Sequence, residues 1–77
     1  MKTITTTKEV QNLFIRIEKD SKPIVAISGI QKIEYHEKDK SIIYYDSIGN
    51  LSFIHYIKEV KEEWGNDTSK LIKVILD

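Results

Sequence analysis

The fold is decided by residues 24–57, IVAISGIQKIEYHEKDKSIIYYDSIGNLSFIHYI. Short segments rich in Ile, Val and Tyr alternate there with clusters of Gly, Asp, Asn, Lys and Ser, which is the pattern of consecutive β-strands joined by turns. The clearest turn is DSIGN at 46–50, because a three-residue loop with glycine in the left-handed position gives a type I turn plus a bulge. The charged segment EKDK at 37–40 predicts a second hairpin turn.

Hairpin register follows from loop length, so these two turns predict which side chains share a face of the sheet. One face is predicted to be uniformly apolar and aromatic, and it comprises Ile33, Tyr35, Ile42, Tyr44, Ile54 and Tyr56. The other face is mixed, and it comprises Lys32, Glu34, His36, Ile43, Tyr45, Leu51, Phe53 and His55. A sheet with one wet face is not expected to carry Leu51 and Phe53 on that face. The mixed face is therefore predicted to be covered, either through bending of the sheet or by a partner.

The segments before this region predict further strands. Residues 1–7 are rich in threonine and predict a short edge strand. Alternation of apolar and polar residues over 13–18 predicts a half-buried strand. The continuous apolar run 24–27 is predicted to be covered on both faces. Gly29 interrupts the pattern and predicts a bulge or a sharp bend.

The hydrophobic period changes after this region. A helical stripe with spacing i, i+3, i+4 and i+7 is formed by Ile57, Val60, Lys61 and Trp64. It predicts a helix of about two turns over residues 58–64 that ends at Gly65. Residues 66–69 are predicted to be a loop, and residues 71–76 a closing strand with apolar groups on both faces.

These elements predict one α+β domain spanning residues 1–77. The expected architecture is a small, strongly bent antiparallel sheet of five or six strands, shaped as an open barrel or sandwich, with one short helix near residues 58–64. A single core in a chain of this size supplies about 3–5 kcal/mol of net stability, and self-association is a common supplement. The sequence has no cysteine, so disulfides cannot supply that supplement, and a homodimer is expected.

Composition also limits the classes of partner. Twelve basic residues balance twelve acidic ones, which argues against binding nucleic acid or anionic lipid by bulk charge. No apolar run approaches the roughly 20 residues of a membrane span, and no hydrophobic signal segment follows the N-terminus. We therefore expect a cytoplasmic protein that does not bind membranes.

The sequence contains no catalytic, metal or nucleotide motif. His36 and His55 are the only histidines, whereas a zinc site needs three or four ligands at defined spacing. Ser28-Gly29 lacks the strand–turn–helix setting of a nucleophile elbow. The three glycines are far apart, so they do not form a phosphate-binding loop. We expect neither enzymatic activity nor a cofactor or metal.

The aromatic residues give the functional hypothesis. We predict an interaction surface formed by His36, Tyr45, Phe53 and His55. Aromatic side chains on a sheet are typical hot spots of protein interfaces, so a non-enzymatic binding module with a protein partner is predicted. A phage or mobile-element protein that modulates a host protein by steric occlusion would have this size and composition. The alternatives are that the tyrosines simply pack in the core, a single-stranded nucleic-acid-binding or transcription-related module, and a small-molecule-binding sponge.

Overall fold

The computed structural model describes residues 1–65 and 68–77, and all regular structure in these residues is β-strand. The strands are β1 (Lys2–Thr5), β2 (Asn12–Lys19), β3 (Lys22–His36), β4 (Ser41–Asp46), β5 (Leu51–Ile54), β6 (Ile57–Trp64) and β7 (Ser69–Leu76). They form one mixed sheet in the order β5-β4-β3-β2-β7-β6, with β1 paired to β3. The pairing of β2 with β7 is parallel and the other pairings are antiparallel. The predicted α+β class, the predicted count of five or six strands and the purely antiparallel sheet are therefore wrong, since the described residues form seven strands.

The helix predicted over residues 58–64 is strand β6. It pairs with β7 along its length, from Ile57 opposite Leu76 to Trp64 opposite Lys70. Regular strand alternation would place Ile57 and Val60 on opposite faces, but a register shift between Ile57 and Glu59 lets both contact the core. An isolated two-turn helix is marginal in water, and the ladder with β7, the next strand in the sequence, stabilises the strand instead.

Strand β3 organises the sheet because its two halves have different neighbours. Residues 22–30 pair with β2, whereas residues 32–36 lie between β4 and β1. Gly29 separates the halves with a φ of 69°, a left-handed conformation that glycine adopts at little cost. Register shifts occur in both ladders near this glycine, so the predicted bulge or bend is confirmed.

The bend lets the two parts of the sheet enclose one apolar core. Its buried members are Ile4, Val10, Leu13, Ile15, Ile17, Ile30, Ile33, Ile42, Ile54, Ile57, Ile72 and Val74. The backbone N–H of Ile57 donates to the carbonyl oxygen of Lys40 at 3.0 Å, which joins the start of β6 to the start of β4. Strands β2 and β7 contribute to the middle of the core, where Ile15 and Ile72 lie side by side on the paired strands and are fully buried.

Both predicted hairpin registers are confirmed. In the β4–β5 hairpin, Ile43 lies opposite Phe53 and Tyr45 opposite Leu51. In the β3–β4 hairpin, Tyr35 is paired with Ile42, as the charged turn predicted.

The 46–50 turn has the predicted chemistry. Asp46 Oδ1 accepts hydrogen bonds from the backbone N–H of Ile48 at 3.0 Å and of Asn50 at 2.9 Å. Gly49 has a φ of 90°, so glycine occupies the left-handed position. This turn therefore sets the alternation of side chains along β4 and β5.

The predicted apolar face is confirmed at most positions. Ile33, Ile42 and Ile54 are buried, and Tyr35 and Tyr44 pack against the core while half-buried. Tyr56 is the exception, because it is 80% exposed. It occupies the corner between β5 and β6 with a φ of 63°, so the strand alternation does not continue through it.

The prediction that residues 24–27 are covered on both faces is wrong. Ile24 is 58% exposed and Val25 is 44% exposed. This part of β3 pairs with β2 on one edge, and no described strand pairs with its other edge. An apolar run indicates that burial of its side chains is favourable, but it does not show that other residues of the same chain bury them.

The other strand predictions are confirmed with small changes of bounds. The edge strand near the N-terminus is β1, and the half-buried strand is β2, with its alternate apolar residues buried. The closing strand begins at Ser69, two residues before its predicted start, and has the expected apolar groups on both faces. Of the predicted loop 66–69, residues 66 and 67 lie outside the described part of the chain. No helix in the described residues is long and apolar enough to cross a membrane.

Candidate protein-interaction face

Four apolar side chains form two directly opposed pairs on the outer face of the β4–β5 hairpin. We call them the outer patch, and they are Ile43, Tyr45, Leu51 and Phe53. Leu51 is 47% exposed and Phe53 is 55% exposed, while the two residues of β4 are half-buried. The patch lies at the end of the sheet, because β5 is its last strand.

Alternation along the hairpin places this patch on the side away from the core. Ile42 and Ile54, next in sequence to patch residues, are buried on the inner face. Side chains of successive strand residues point to opposite faces, so the patch residues must point outward. Every patch position follows from the register that the Gly49 turn sets.

A charged pair on β3 borders the patch. Lys32 Nζ is 4.7 Å from the ring centroid of Tyr45, a cation–π contact, and 2.9 Å from Glu34 Oε2. The hydrogen bond to Glu34 is the main cause that raises the pKa of Lys32, and the same bond is the main cause that lowers the pKa of Glu34. Both groups are therefore charged at neutral pH, and together they give the border no net charge.

His55 extends the patch along β5. Its ring stacks on Phe53 with centroids 6.0 Å apart and an interplanar angle of 5°. Tyr56 approaches the same imidazole edge-on at 6.3 Å between centroids. Tyr45, Phe53 and His55 of the predicted surface thus belong to one exposed region.

His36 lies on the same face of β3 as Lys32 and Glu34, two residues beyond Glu34. It is half-buried near the end of β3, with Nε2 at 3.7 Å from Glu34 Oε1. The two histidines line different clefts, His36 beside Met1 and His55 beside Asp77. Within residues 1–65 and 68–77, no group of three His, Asp or Glu side chains is placed to hold a metal ion.

The interaction surface predicted from sequence omits two residues of the patch. The predicted register assigns Ile43 and Leu51 to the correct face but does not identify them as interaction residues. The signal that identifies them is the register itself, because each stands directly opposite a named residue. The aliphatic members give the patch a continuous apolar area that the aromatic residues alone do not have.

A second candidate site is a small cavity inside the sheet. Its volume is about 130 Å³, and its lining includes Ile4, Val60 and Ile72 together with Lys2 and Glu62. A cavity of about 150 Å³ accommodates one benzene molecule. This cavity is therefore too small for a nucleotide.

Comparison of the chain with protein-family models, with curated proteins and with solved structures finds no match.

Proposed function

We propose that the protein is a non-enzymatic interaction module that binds an apolar segment of a protein partner with the outer patch. The observation that carries the proposal is the pair of opposed contacts, Ile43 with Phe53 and Tyr45 with Leu51, on a face that no described element covers. Contiguous exposed apolar patches with a polar border are typical of protein-binding sites.

The patch can supply useful binding energy. Complete burial of a Leu or Phe side chain from water is worth about 1.5–3 kcal/mol. Leu51 and Phe53 are about half exposed, so each can contribute about half of that amount when covered. Phe53 is the expected hot spot, since aromatic residues near the centre of an interface dominate alanine scans.

The electrostatics favour a partner of low charge. Lys32 and Glu34 neutralise each other at the border, and the chain has no net charge. A module of this kind acts by occupying the partner's surface, because it lacks the net charge needed to mimic a nucleic acid. Inhibition or modulation of a host protein by steric occlusion is the mode of action we propose, and the absence of cysteine suits the reducing cytoplasm.

A single-stranded nucleic acid is the second candidate. Tyr45 has the cation of Lys32 over its ring, and Phe53 is 55% exposed on the same face, so aromatic rings and a cation lie near each other as in a base-stacking platform. Glu34 holds the same ammonium group at 2.9 Å and places a negative charge where a phosphate would bind. This carboxylate makes the protein partner the better-supported candidate.

Site-specific photocrosslinking tests the proposal. A photoreactive phenylalanine analogue is introduced at position 53 and, as a matched control, at position 48, where Ile48 is 81% exposed on the adjoining turn. We expect a defined protein crosslinked in cells from position 53 and not from position 48. Binding of the purified partner is then measured by calorimetry with wild type, Phe53→Lys and Ile48→Lys.

The expected result is a loss of affinity of tenfold or more in Phe53→Lys and no change in Ile48→Lys. Equal crosslinking from both positions would contradict the proposal. So would salt-dependent binding of an oligothymidine that Phe53→Lys abolishes, since that result identifies the nucleic-acid platform.

A further inference from the structure

We propose that a second copy of this chain pairs antiparallel with the free edge of β3 at residues 22–28. Residues 22–30 pair with β2 on one side, and β4 covers the other side only from Ile30 onward. An extended edge of about seven residues, roughly 23 Å long, is thus unpaired in the described chain. This edge is distinct from the outer patch, so the inference does not depend on the proposed function.

Lys22 and Pro23 protect only the start of this edge, and the residues that follow them do not protect it from pairing. After Lys22, no charged residue occurs before Lys32, and Ile24 and Val25 are 58% and 44% exposed. Natural proteins protect free edges with charged side chains, and an unprotected apolar edge is a template for another strand.

Strand β6 provides the contrast within the same sheet. It is the terminal strand at the other side, and its sequence IKEVKEEW places Lys58, Glu59, Lys61, Glu62 and Glu63 along its edge. Of these two long edges, one is blocked by charge and the other is not. Of these two edges, residues 22–28 are therefore better suited to accept a strand.

A second copy fits this edge because antiparallel pairing of identical strands is self-complementary. A two-fold axis perpendicular to the sheet keeps each side chain on its own face, so the axis can pass midway between the two copies of Val25 and pair this residue with itself. In that register Ile24 lies opposite Ala26, and Lys22 lies opposite Ser28. Ile24 and Val25 then each gain a cross-strand neighbour on their own face of the sheet.

The register also brings opposite charges together. Ser28 is two residues from Ile30, whose partner in β4 is Asp46. Lys22 of one copy therefore approaches Asp46 of the other, within reach of its long side chain, and symmetry makes this contact twice. A partner identical in sequence thus supplies both the strand and the complementary charge.

Charge substitutions at Val25 test both the pairing and its register. In the proposed dimer, Val25→Lys or Val25→Glu places like charges directly opposite each other, which is destabilising. Wild type is expected to sediment as a dimer of 9.0 kDa chains at tens of micromolar, and each variant as a monomer. An equimolar mixture of the two variants is expected to recover dimers, because opposite charges then face each other.

The controls separate loss of pairing from loss of folding. Circular dichroism must show folded monomers for both Val25 variants, as expected from the partial exposure of this residue. Glu63→Lys must remain dimeric, since this exposed residue lies on β6, three strands away from β3 in the sheet. Hydrogen exchange gives an independent readout, in which amides of residues 22–28 become more protected as protein concentration rises.

Three outcomes would overturn the inference: a wild-type monomer at several hundred micromolar, dimers that persist in both Val25 variants, or a mixture of folded variants that stays monomeric. Conversion to a monomer by Phe53→Lys alone would assign the dimer to the outer patch instead. The last result would leave a binding role for that patch intact while removing the proposed edge pairing.

Discussion

Lys70 lies across the β6–β7 ladder from Trp64, with its ammonium nitrogen 4.6 Å from the centroid of the Trp64 ring. The same nitrogen is 2.8 Å from Glu62 Oε1, and Lys2 bonds the second oxygen of that carboxylate. Glu62 thus connects β6 to β7 and also to β1, a strand with which it forms no ladder. Side chains of this cluster therefore link β6 to β1 where no backbone ladder joins the two strands.

Glu62→Gln is expected to lower stability at neutral pH but not in acid. The hydrogen bonds from Lys2 and then Lys70 lower the pKa of Glu62 from its ordinary value of 4.5. A carboxyl group with a lowered pKa stabilises the folded state above the unfolded pKa, and this contribution is lost as the pH falls through the folded pKa. Because the side chain is partly exposed, we expect a difference of about 0.2–1 kcal/mol at pH 7.

Urea unfolding at pH 7 and at a pH below the folded pKa measures this effect. The neighbouring exposed Glu63 supplies the control variant Glu63→Gln, for which we expect no resolved change. An equal loss at both pH values would show that Glu62 acts through packing and not through its charge.

Gly49→Val is expected to destabilise the β4–β5 hairpin by about 1–2 kcal/mol, since a left-handed φ is unfavourable for residues with a Cβ. The φ of Gly49 is 90°, and a Cβ there would meet no atom within 4 Å, so the cost comes from the backbone and not from crowding. Gly49→Asn should cost less, because asparagine tolerates this conformation better. Thermal unfolding of both variants checks the order, and equal losses would argue against backbone strain as the cause.

The hairpins could be predicted from the sequence because their determinants are local. Asp46 and Gly49 lie in one turn, and loop length alone then sets the register of two strands. The faces of β4 and β5, and with them the Tyr45 and Phe53 positions of the candidate site, follow from a few adjacent residues.

The wrong predictions depend on residues outside the segment concerned. The segment 57–64 has helical periodicity, and its pairing with β7, with a register shift after Ile57, makes it a strand. The run 24–27 is apolar enough for a buried strand, but its cover depends on where β4 ends. Tyr56 is not on its predicted face because the chain turns a corner at this residue, which has a positive φ. In each case the apolar pattern of the segment alone is not sufficient to predict the structure.

Ile72→Ala is expected to leave the protein largely unfolded, whereas Ile75→Ala on the opposite face of β7 should cost clearly less. Ile72 is fully buried, and removal of such a side chain costs about 2–5 kcal/mol. That is comparable with the total of about 3–5 kcal/mol expected for a core of this size. Circular dichroism at 25 °C distinguishes the two variants, and a folded Ile72→Ala protein of unchanged melting temperature would contradict the assigned core.

Phe53→Lys is expected to fold normally and Ile54→Lys is expected not to fold, although the two residues are adjacent. Phe53 is 55% exposed on the outer patch, and surface substitutions of this kind usually change stability by less than about 0.5 kcal/mol. Ile54 is 7% exposed on the inner face, where a lysine would place an unpaired charge in the core.

Urea unfolding of the two variants at a concentration where wild type is monomeric decides whether the outer patch is free surface in the isolated chain. We expect Phe53→Lys to unfold at the same urea concentration as wild type and Ile54→Lys to be unfolded without urea. If both variants were unfolded, Phe53 would be a core residue, and the outer patch could not be the surface that binds a partner.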